Sequence, residues 1–368
     1  NFEKLGISSD FTKGLAELNI VEPSAIQKQV IPLLLGGATD IVAQAQTGTG
    51  KTAAYGLPLL MQMDVNINSV QGLVLCPTRE LAKQVAKQLF KFTKYSTKIF
   101  TEAVYGGEHI DRQISSLRRP TQIVVATPGR LIDLVKRKAI NLNAVNTVIL
   151  DEADEMLSMG FKKELNEILS FLPAVENKWL FSATIPNGIQ EIISTHLAKD
   201  AQRIKVSQDN IVNKNISHQY VVCADTEKLY TLELFLKSEQ KNRGVIFCKT
   251  KAATKVLAKQ LIAKNIATDA IHGDLQQKER DKVMRAFKNE TLRILVATDV
   301  AARGIDISDL SFVAHYQLPE SEEYYTHRSG RTARAGKAGV SMCFVNTSEV
   351  KTLRNYERVL GIKFRQVK

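Results

Sequence analysis

Cysteine is scarce in this chain: four in 368 residues, Cys76, Cys223, Cys248 and Cys343, with no CxxC pair and no histidine pair at zinc spacing. That excludes a disulfide scaffold and a structural zinc site, and it fits a reducing, cytoplasmic setting. With 20 glycines and 9 prolines the sequence is neither collagen-like nor low-complexity, and 44% hydrophobic residues suffice for packed cores. No apolar run approaches the ~20 residues that cross a bilayer. The opening NFEKLGISSD lacks the basic-then-apolar order of a secretory leader. Acidic residues are also short: 50 Lys and Arg against 38 Asp and Glu leave a formal charge of +12, which makes a polyanion partner worth seeking.

What the chain does have is a recurring unit. Short runs rich in Val and Ile, at Gly72 to Cys76, Gln122 to Ala126, Thr147 to Leu150, Gly244 to Cys248, Arg293 to Ala297 and Gly339 to Val345, are each followed by a helical pattern. Continuous apolar strands alternating with amphipathic helices predict an α/β fold built on mainly parallel sheets with helices on both faces. In the helix expected over Arg79 to Phe92, Leu81, Val85, Leu89 and Phe92 form one stripe, and Lys83, Lys87 and Lys91 the other. A closing basic helix is expected over Lys351 to Arg365.

The signals then repeat in order. VLCPTREL is echoed by IFCKTKAA at an offset of 172, VVATPGR by LVATDVA at 171, and YGG by HGD at 167. Three echoes at nearly constant spacing predict two domains of one fold. The expected division is residues 1–205, a polar linker over 206–217, and residues 218–368, with charges of about +3 and +9 on either side of Lys205.

Four echoed segments share one junction, in which a buried strand ends, a Thr follows and a helix begins: Thr78, Thr127, Thr250 and Thr298. Thr serves as N-cap, Pro128 suits the first helical position, and free N–H groups there attract anions. With Arg79, Arg130 and Lys251 alongside, the junctions read as a row of phosphate grips.

AQTGTGKT (Ala45 to Thr52) follows the apolar run Asp40 to Ala43 and opens a helix, the context a phosphate-binding loop requires. Ala45 stands where the usual pattern has glycine; the backbone of Gln46, Thr47, Gly48, Thr49 and Gly50 wraps the phosphates, Lys51 reaches their oxygens, and Thr52 reaches Mg²⁺. The strand Thr147 to Leu150 delivers Asp151, placed to hold Mg²⁺, and Glu152, placed to orient and deprotonate a water. The arginines of HRSGRTAR (His327 to Arg334) supply positive charge for the γ-phosphate.

With these residues in view, the chain resembles the DEAD-box RNA helicases, whose naming string DEAD lies at Asp151 to Asp154, and the resemblance runs through nearly the whole length. It implies two tandem RecA-like domains, an N-terminal ATP-binding one and a C-terminal helicase one, with ATP and Mg²⁺ in the cleft and single-stranded RNA crossing both. Gln27 then reads the adenine edge, and Phe2 is the isolated upstream aromatic. Ile20 departs from an aromatic that stacks on the base. Ser182, Ala183 and Thr184 couple hydrolysis to RNA work through Asp154 and His327. Arg331 and Arg334 are the arginine fingers, although Ser329 and Ala333 depart from the common HRIGRTGR. RNA contacts fall on Pro77, Thr78, Arg79, Gly106, Gly107, Thr127, Pro128, Gly129 and Arg130, and on Thr250, Gln277, Arg280, Thr298 and Asp299. Asp306 approaches the ribose, and Arg303 links the two sites.

The expected activity is RNA-stimulated ATP hydrolysis coupled to local unwinding of short duplexes and to ribonucleoprotein remodelling, by a monomer with single-stranded and short duplex RNA as partners and no membrane association. Ribonucleoprotein or ribosome-assembly proteins are the further partners this implies. Two rivals share the motifs: an ATP-gated RNA clamp that separates no strands, and a DNA helicase of the same superfamily.

Overall fold

The structure, a computed structural model, describes residues 1–46, 48–206, 215–239, 242–302, 310–333 and 337–367. Thr47, Arg303, Asp306, Arg334 and most of the expected linker lie outside the described residues. The chain divides into two compact units, Asn1–Val206 and Ser207–Lys368.

The first unit contains β1 (Asp40–Gln44), β2 (Gly72–Leu75), β3 (Thr101–Val104), β4 (Ile123–Ala126), β5 (Thr147–Asp151), β6 (Asn177–Ser182) and β7 (Gln202–Lys205). They form one sheet in the order β3-β4-β2-β5-β6-β1-β7, each pair parallel. In the second unit, β8 (Ile216–Val222), β9 (Gly244–Cys248), β10 (Thr268–Ile271), β11 (Ile294–Thr298), β12 (Phe312–His315), β13 (Gly339–Val345) and β14 (Arg365–Gln366) form a second parallel sheet. Its order, β10-β11-β9-β12-β13-β8-β14, is the first order with every strand number raised by seven. The sequence echoes are therefore echoes of position: β2 and β9, β4 and β11, and β3 and β10 occupy the same places.

Alternation within the strands explains why both sheets are covered twice. Val74, Val125, Ile149, Trp179 and Phe181 pack into one apolar layer of the first unit, while their neighbours Leu75, Val124, Leu150 and Leu180 pack into the other. Successive strand residues point to opposite faces, so a strand apolar at every position is stable only between two helical layers. The helix Arg79–Phe92 seals one face as its pattern requires, with Leu81, Val85, Leu89 and Phe92 buried.

Two boundaries differ from expectation. β8 begins at Ile216, inside the predicted linker, because Ile216 and Ser217 pair with Gly339 and Val340 of β13. The closing helix ends at Leu360, where Gly361 takes φ 65°, and the chain returns as β14 beside β8. A left-handed glycine at that place is a helix stop.

Gly244 opens β9 directly opposite Phe312 of β12. A Cβ there would lie 2.2 Å from Phe312 ring carbons, inside a wholly buried strand. Gly244→Ala is expected to destabilise the second unit by about 1–3 kcal/mol, read as a lowered urea midpoint; an unchanged midpoint would show that the Phe312 ring yields freely.

Candidate functional site

In a parallel sheet all carboxyl ends face one edge, and ligands bind in the crevice outside it. The strand order splits that edge in two. The ends of β5, β6 and β1 adjoin and carry Asp151–Glu152, Ser182–Thr184 and the Ala45–Thr52 loop; the ends of β3, β4 and β2 adjoin and carry Gly106–Gly107, Thr127–Arg130 and Pro77–Arg79.

On the first half, the loop leaves β1 with Ala45 N–H donating to the Ser182 carbonyl, and the Thr49 hydroxyl closes it by donating to the Gln46 carbonyl at 2.7 Å. Ala45 is buried and is not among the residues with positive φ, so its departure from glycine causes no backbone strain. Gly48 (φ 85°) and Gly50 (φ 93°) do need the left-handed freedom, and Gly50 caps the helix Lys51–Met61. Lys51 is only 6% exposed, and its Nζ has no hydrogen-bond partner among the described residues. Thr52 follows on the same first turn.

Asp151 ends β5, 2% exposed, with Oδ2 accepting from the Tyr55 hydroxyl at 2.8 Å and Oδ1 unpartnered. Burial raises the pKa of this carboxyl, and the Lys51 charge opposes the rise. Tyr55, held protonated by burial and by Asp151, is a fixed donor. Sequence reading missed it; its signal is its place one helical turn after Lys51, on the same face. Glu152 adopts φ 53°, ψ 52°. A non-glycine residue in that region carries local strain of about 1–3 kcal/mol, spent here on turning the strand end into the helix Ala153–Ser158.

Gln27 is buried at the start of the helix Ala25–Leu35. Its Oε1 accepts from Ser24 N–H at 2.8 Å, and its Nε2 donates to the Gly50 carbonyl at 3.0 Å, so the amide ties that helix to the phosphate loop. Phe2 is 2% exposed and packs in the apolar core, and Ile20 packs partly buried against the same core. Ser182 and Thr184 both bond to Asp154: Asp154 Oδ2 accepts from Thr184 N–H at 2.9 Å and from its hydroxyl at 3.0 Å, and Ser182 Oγ accepts from Asp154 N–H at 3.1 Å.

Along the other half of the edge, Thr78 caps its helix by accepting from Leu81 N–H, but the Thr127 hydroxyl makes no cap bond, leaving Pro128 to open that helix. The expected free arginines are not free. Arg79 pairs with Glu80 at 3.0 Å, and Arg130 donates to Gln113 Oε1 at 2.8 Å and to the Glu108 carbonyl at 2.9 Å. These contacts brace the Gly106–Gly107 loop, because a Cβ on Gly107 would meet Arg79 Nη1 at 2.6 Å. Gly129 has open space around its Cα.

The second unit repeats the edge. Thr250 caps by accepting from Ala253 N–H at 3.1 Å, and Thr298 Oγ1 accepts from Ala301 N–H at 3.3 Å. Lys251 and Lys255 both bind Asp274, holding its carboxyl down to about 2, so Lys251 serves the HGD loop first. Gln277 donates to Asp281, and Arg280 donates to the Ala301 carbonyl at 2.7 Å. Asp299, expected at the RNA, has both side-chain oxygens accepting from Arg328, whose Nη1 also donates to the Gln317 carbonyl at 2.8 Å. Arg328 is 2% exposed, so one of the three arginines of HRSGRTAR is an internal strut with no reach to a phosphate. No sequence signal marked this pair, whose members are 29 residues apart. His327 lies on the helix Glu322–Ser329, with Arg331 just beyond its end. Ala333 has φ 56° and is buried, so the alanine that departs from HRIGRTGR sits where glycine would be unstrained.

Among the described residues, no group of three or more His, Cys, Asp and Glu is arranged to hold a metal, and no helix is long and apolar enough to cross a membrane.

A family profile for DEAD/DEAH box helicases matches residues 24–192, and one for the helicase conserved C-terminal domain matches residues 226–336. The DEAD-box ATP-dependent RNA helicase CshA of Bacillus cereus is 42% identical over 357 residues, which is 97% of this chain and 67% of that protein. S. cerevisiae Dbp5 bound to RNA and ADP BeF3 superposes with a TM-score of 0.91 at 31% identity, covering 100% of this chain and 95% of that one. Mss116p bound to ssRNA and AMP-PNP gives a TM-score of 0.87 at 26% identity, covering 100% and 78%. Two parallel sheets of one topology, the first with a phosphate loop beside an Asp-Glu strand end, define a tandem RecA-like helicase core. Within that class, the chain belongs to the DEAD-box ATP-dependent RNA helicase family.

Arg328→Lys keeps the charge but loses the two-pronged grip on Asp299. We expect the thermal stability of the second unit to fall by about 3 kcal/mol, the range for breaking a buried ion pair; a loss below about 0.5 kcal/mol would mean that the pair is replaceable by solvent.

Proposed function

We propose that the chain is an RNA-stimulated ATPase that separates short RNA duplexes, with the first half of the N-terminal edge as its nucleotide site. The observation that carries this reading is the juxtaposition of Lys51 Nζ and Asp151 Oδ1, two buried atoms of oppositely charged side chains, neither with a hydrogen-bond partner among the described residues. Such groups are stable when a ligand supplies their partners. A triphosphate with Mg²⁺ fits both: the ammonium takes phosphate oxygens, and the carboxylate and the Thr52 hydroxyl take the ion. One carboxylate with substrate phosphates and waters is a usual Mg²⁺ set, so the lack of a three-ligand protein cluster agrees with it. The ion would draw charge from the γ-phosphate oxygens as the bond to it breaks.

In this reading the chain's own residues divide the work as follows. Gln46, Thr47, Gly48, Thr49 and Gly50 present backbone donors to the phosphates. Glu152, aimed by its left-handed backbone, accepts the proton of the attacking water. Gln27 exchanges its bond to Gly50 for the adenine edge, which makes base recognition report to the phosphate loop. Arg331 and Arg334 must reach the γ-phosphate held by the other unit, which makes turnover conditional on closure. Asp306 takes the ribose, and Arg303 connects the nucleotide to the RNA.

For RNA, the Thr-capped helix starts and the Gly106–Gly107 and Gly129 backbones offer N–H groups to successive phosphates, with Pro77, Thr78 and Thr127 lining the track. In the second unit Thr250, Gln277, Arg280 and Thr298 continue it. Arg79, Arg130 and Asp299 act by holding those loops in shape. Contacts to phosphate and ribose bind without sequence choice. Closure then bends the strand out of pairing, and ATP and RNA each raise affinity for the other by linkage. The chain works as a cytoplasmic monomer on single-stranded RNA and short duplexes, with ribonucleoprotein or ribosome-assembly proteins as its setting.

ATPase assays with and without single-stranded RNA test the proposal: stimulation by RNA and not by DNA of equal sequence supports it, and equal stimulation by both would make it a DNA enzyme. A short tailed duplex distinguishes unwinding from clamping. Glu152→Gln should still bind ATP and RNA together while hydrolysis slows by about 10²-fold or more; rapid RNA loss with ATP present would remove Glu152 from its role. With about five phosphates gripped at about −0.7 each, log affinity for RNA should fall against log salt with a slope near −3.5, and a slope near zero would refute the polyanion track.

A further inference from the structure

The helix that ends HRSGRTAR is fastened to the core of the second unit by a closed polar circuit. Ser329 Oγ lies 2.9 Å from Ser341 Oγ and 3.4 Å from His315 Nε2. Ser341 Oγ lies 3.0 Å from His315 Nε2 and 3.0 Å from the Tyr325 hydroxyl, which bonds in turn to His218 Nδ1. The five side chains come from β8, β12, β13 and the helix Glu322–Ser329. Ser341 stands in register with His218 on the neighbouring strand. His315, Ser341 and Tyr325 are fully buried, Ser329 is 2% exposed and His218 7%. The His315 and Tyr325 rings stack at 4.7 Å.

The proton arrangement is determined by what is left over. His315 Nδ1 and His218 Nε2 are buried without partners. An orphaned N–H is rarer and costlier in a core than an orphaned lone pair, which puts the ring protons on His315 Nε2 and His218 Nδ1. His218 then donates to the Tyr325 oxygen, Tyr325 donates to Ser341, His315 donates to Ser341, and Ser341 donates to Ser329. The hydroxyl hydrogens of Tyr325 and Ser341 are thus both used within the circuit. Burial keeps both rings neutral, lowering His218 to about 4 and His315 well below its ordinary value, with Arg328 adding to the latter.

The circuit is one of three anchors on five residues. Arg328 is fixed by Asp299 and Gln317, Ser329 by the circuit, and Thr332 by its bonds to Leu310. His327 immediately precedes the first anchor, and Arg331 lies between the last two. Ser329 occupies the position where HRIGRTGR has isoleucine, and a lone hydroxyl there would be an unpaired polar group in the core, a penalty of about 1–3 kcal/mol. Its partners remove that penalty and turn an apolar contact into a directional one.

We propose that His315, Ser341 and Tyr325 are positioning residues for the arginine turn, acting through Ser329 to hold Arg331 in register for the γ-phosphate. This rests on the reading of that turn as the source of the phosphate arginines. Sub-ångström displacement of a charge-stabilising group lowers kcat before it lowers binding.

The test is RNA-stimulated ATPase on purified folded variants, with thermal melting as a fold check. His315→Leu should lower kcat roughly tenfold with the KM for ATP within about twofold of the parent. His315→Gln, whose amide N–H can replace Nε2–H, should restore most of it. Ser329→Ala, which removes one oxygen, carries the same expectation and the same veto if His315→Leu does not fold. A folded His315→Leu or Ser329→Ala with parental kcat overturns the proposal, as does loss of KM and kcat together. Arg331→Ala separates the two readings: parental turnover in that variant sinks the arginine role itself, whereas lost turnover beside an active His315→Leu sinks only the positioning role.

Discussion

Parallel pairing is the constraint from which the rest follows. Because every neighbouring strand pair in both sheets is parallel, all strand ends of a unit open on one edge, and every crossover has to return over a face. The helices that cover the sheets therefore begin at that edge, where their first N–H groups find no partner within the helix and Thr78, Thr250 and Thr298 cap three of them. A sheet of this kind makes an anion-binding margin before any particular side chain is chosen. Strand order then decides which residues share a neighbourhood: β5, β6 and β1 bring the phosphate loop beside Asp151 and Ser182, and β3, β4 and β2 bring three loops into a separate row.

On that margin the two halves are built by opposite tactics. The half that carries the phosphate loop keeps Lys51 Nζ and Asp151 Oδ1 buried without a hydrogen-bond partner among the described residues, and it tolerates a left-handed Glu152. The other half satisfies its charges internally: Arg79 on Glu80, Arg130 on Gln113 and Glu108, Lys251 on Asp274, Asp299 on Arg328. What stays exposed there includes Gly106 and Gly107.

The second unit carries the larger share of basic residues, yet its most informative chemistry is buried and neutral. Arg328 is consumed as a strut, and Ser329 is held by two uncharged histidines, a tyrosine and a serine. Substituting serine into an apolar position is tolerable only where neighbouring strands supply directional partners, and here β12 and β13 do. The same helix also exposes the limit of counting arginines in a motif, since chemical identity does not say which way a guanidinium points.

Read as sequence, the chain already determined its two-unit α/β architecture, because apolar runs at every strand position are stable only between helical layers and because the echoes preserve order. It also determined the phosphate loop and the Asp-Glu strand end, since both are local: a strand, a turn and a helix start lie within ten residues. Boundaries set by pairing were not local, so β8 reached into the expected linker and the last helix stopped at Gly361. Only the tertiary structure placed Tyr55 on Asp151, tied Gln27 to Gly50, buried Phe2, paired Asp299 with Arg328 and joined Ser329 to His315 and Ser341. Those contacts link residues whose separation along the chain carries no periodic signal, and their geometry is fixed by which strands the parallel sheet sets side by side.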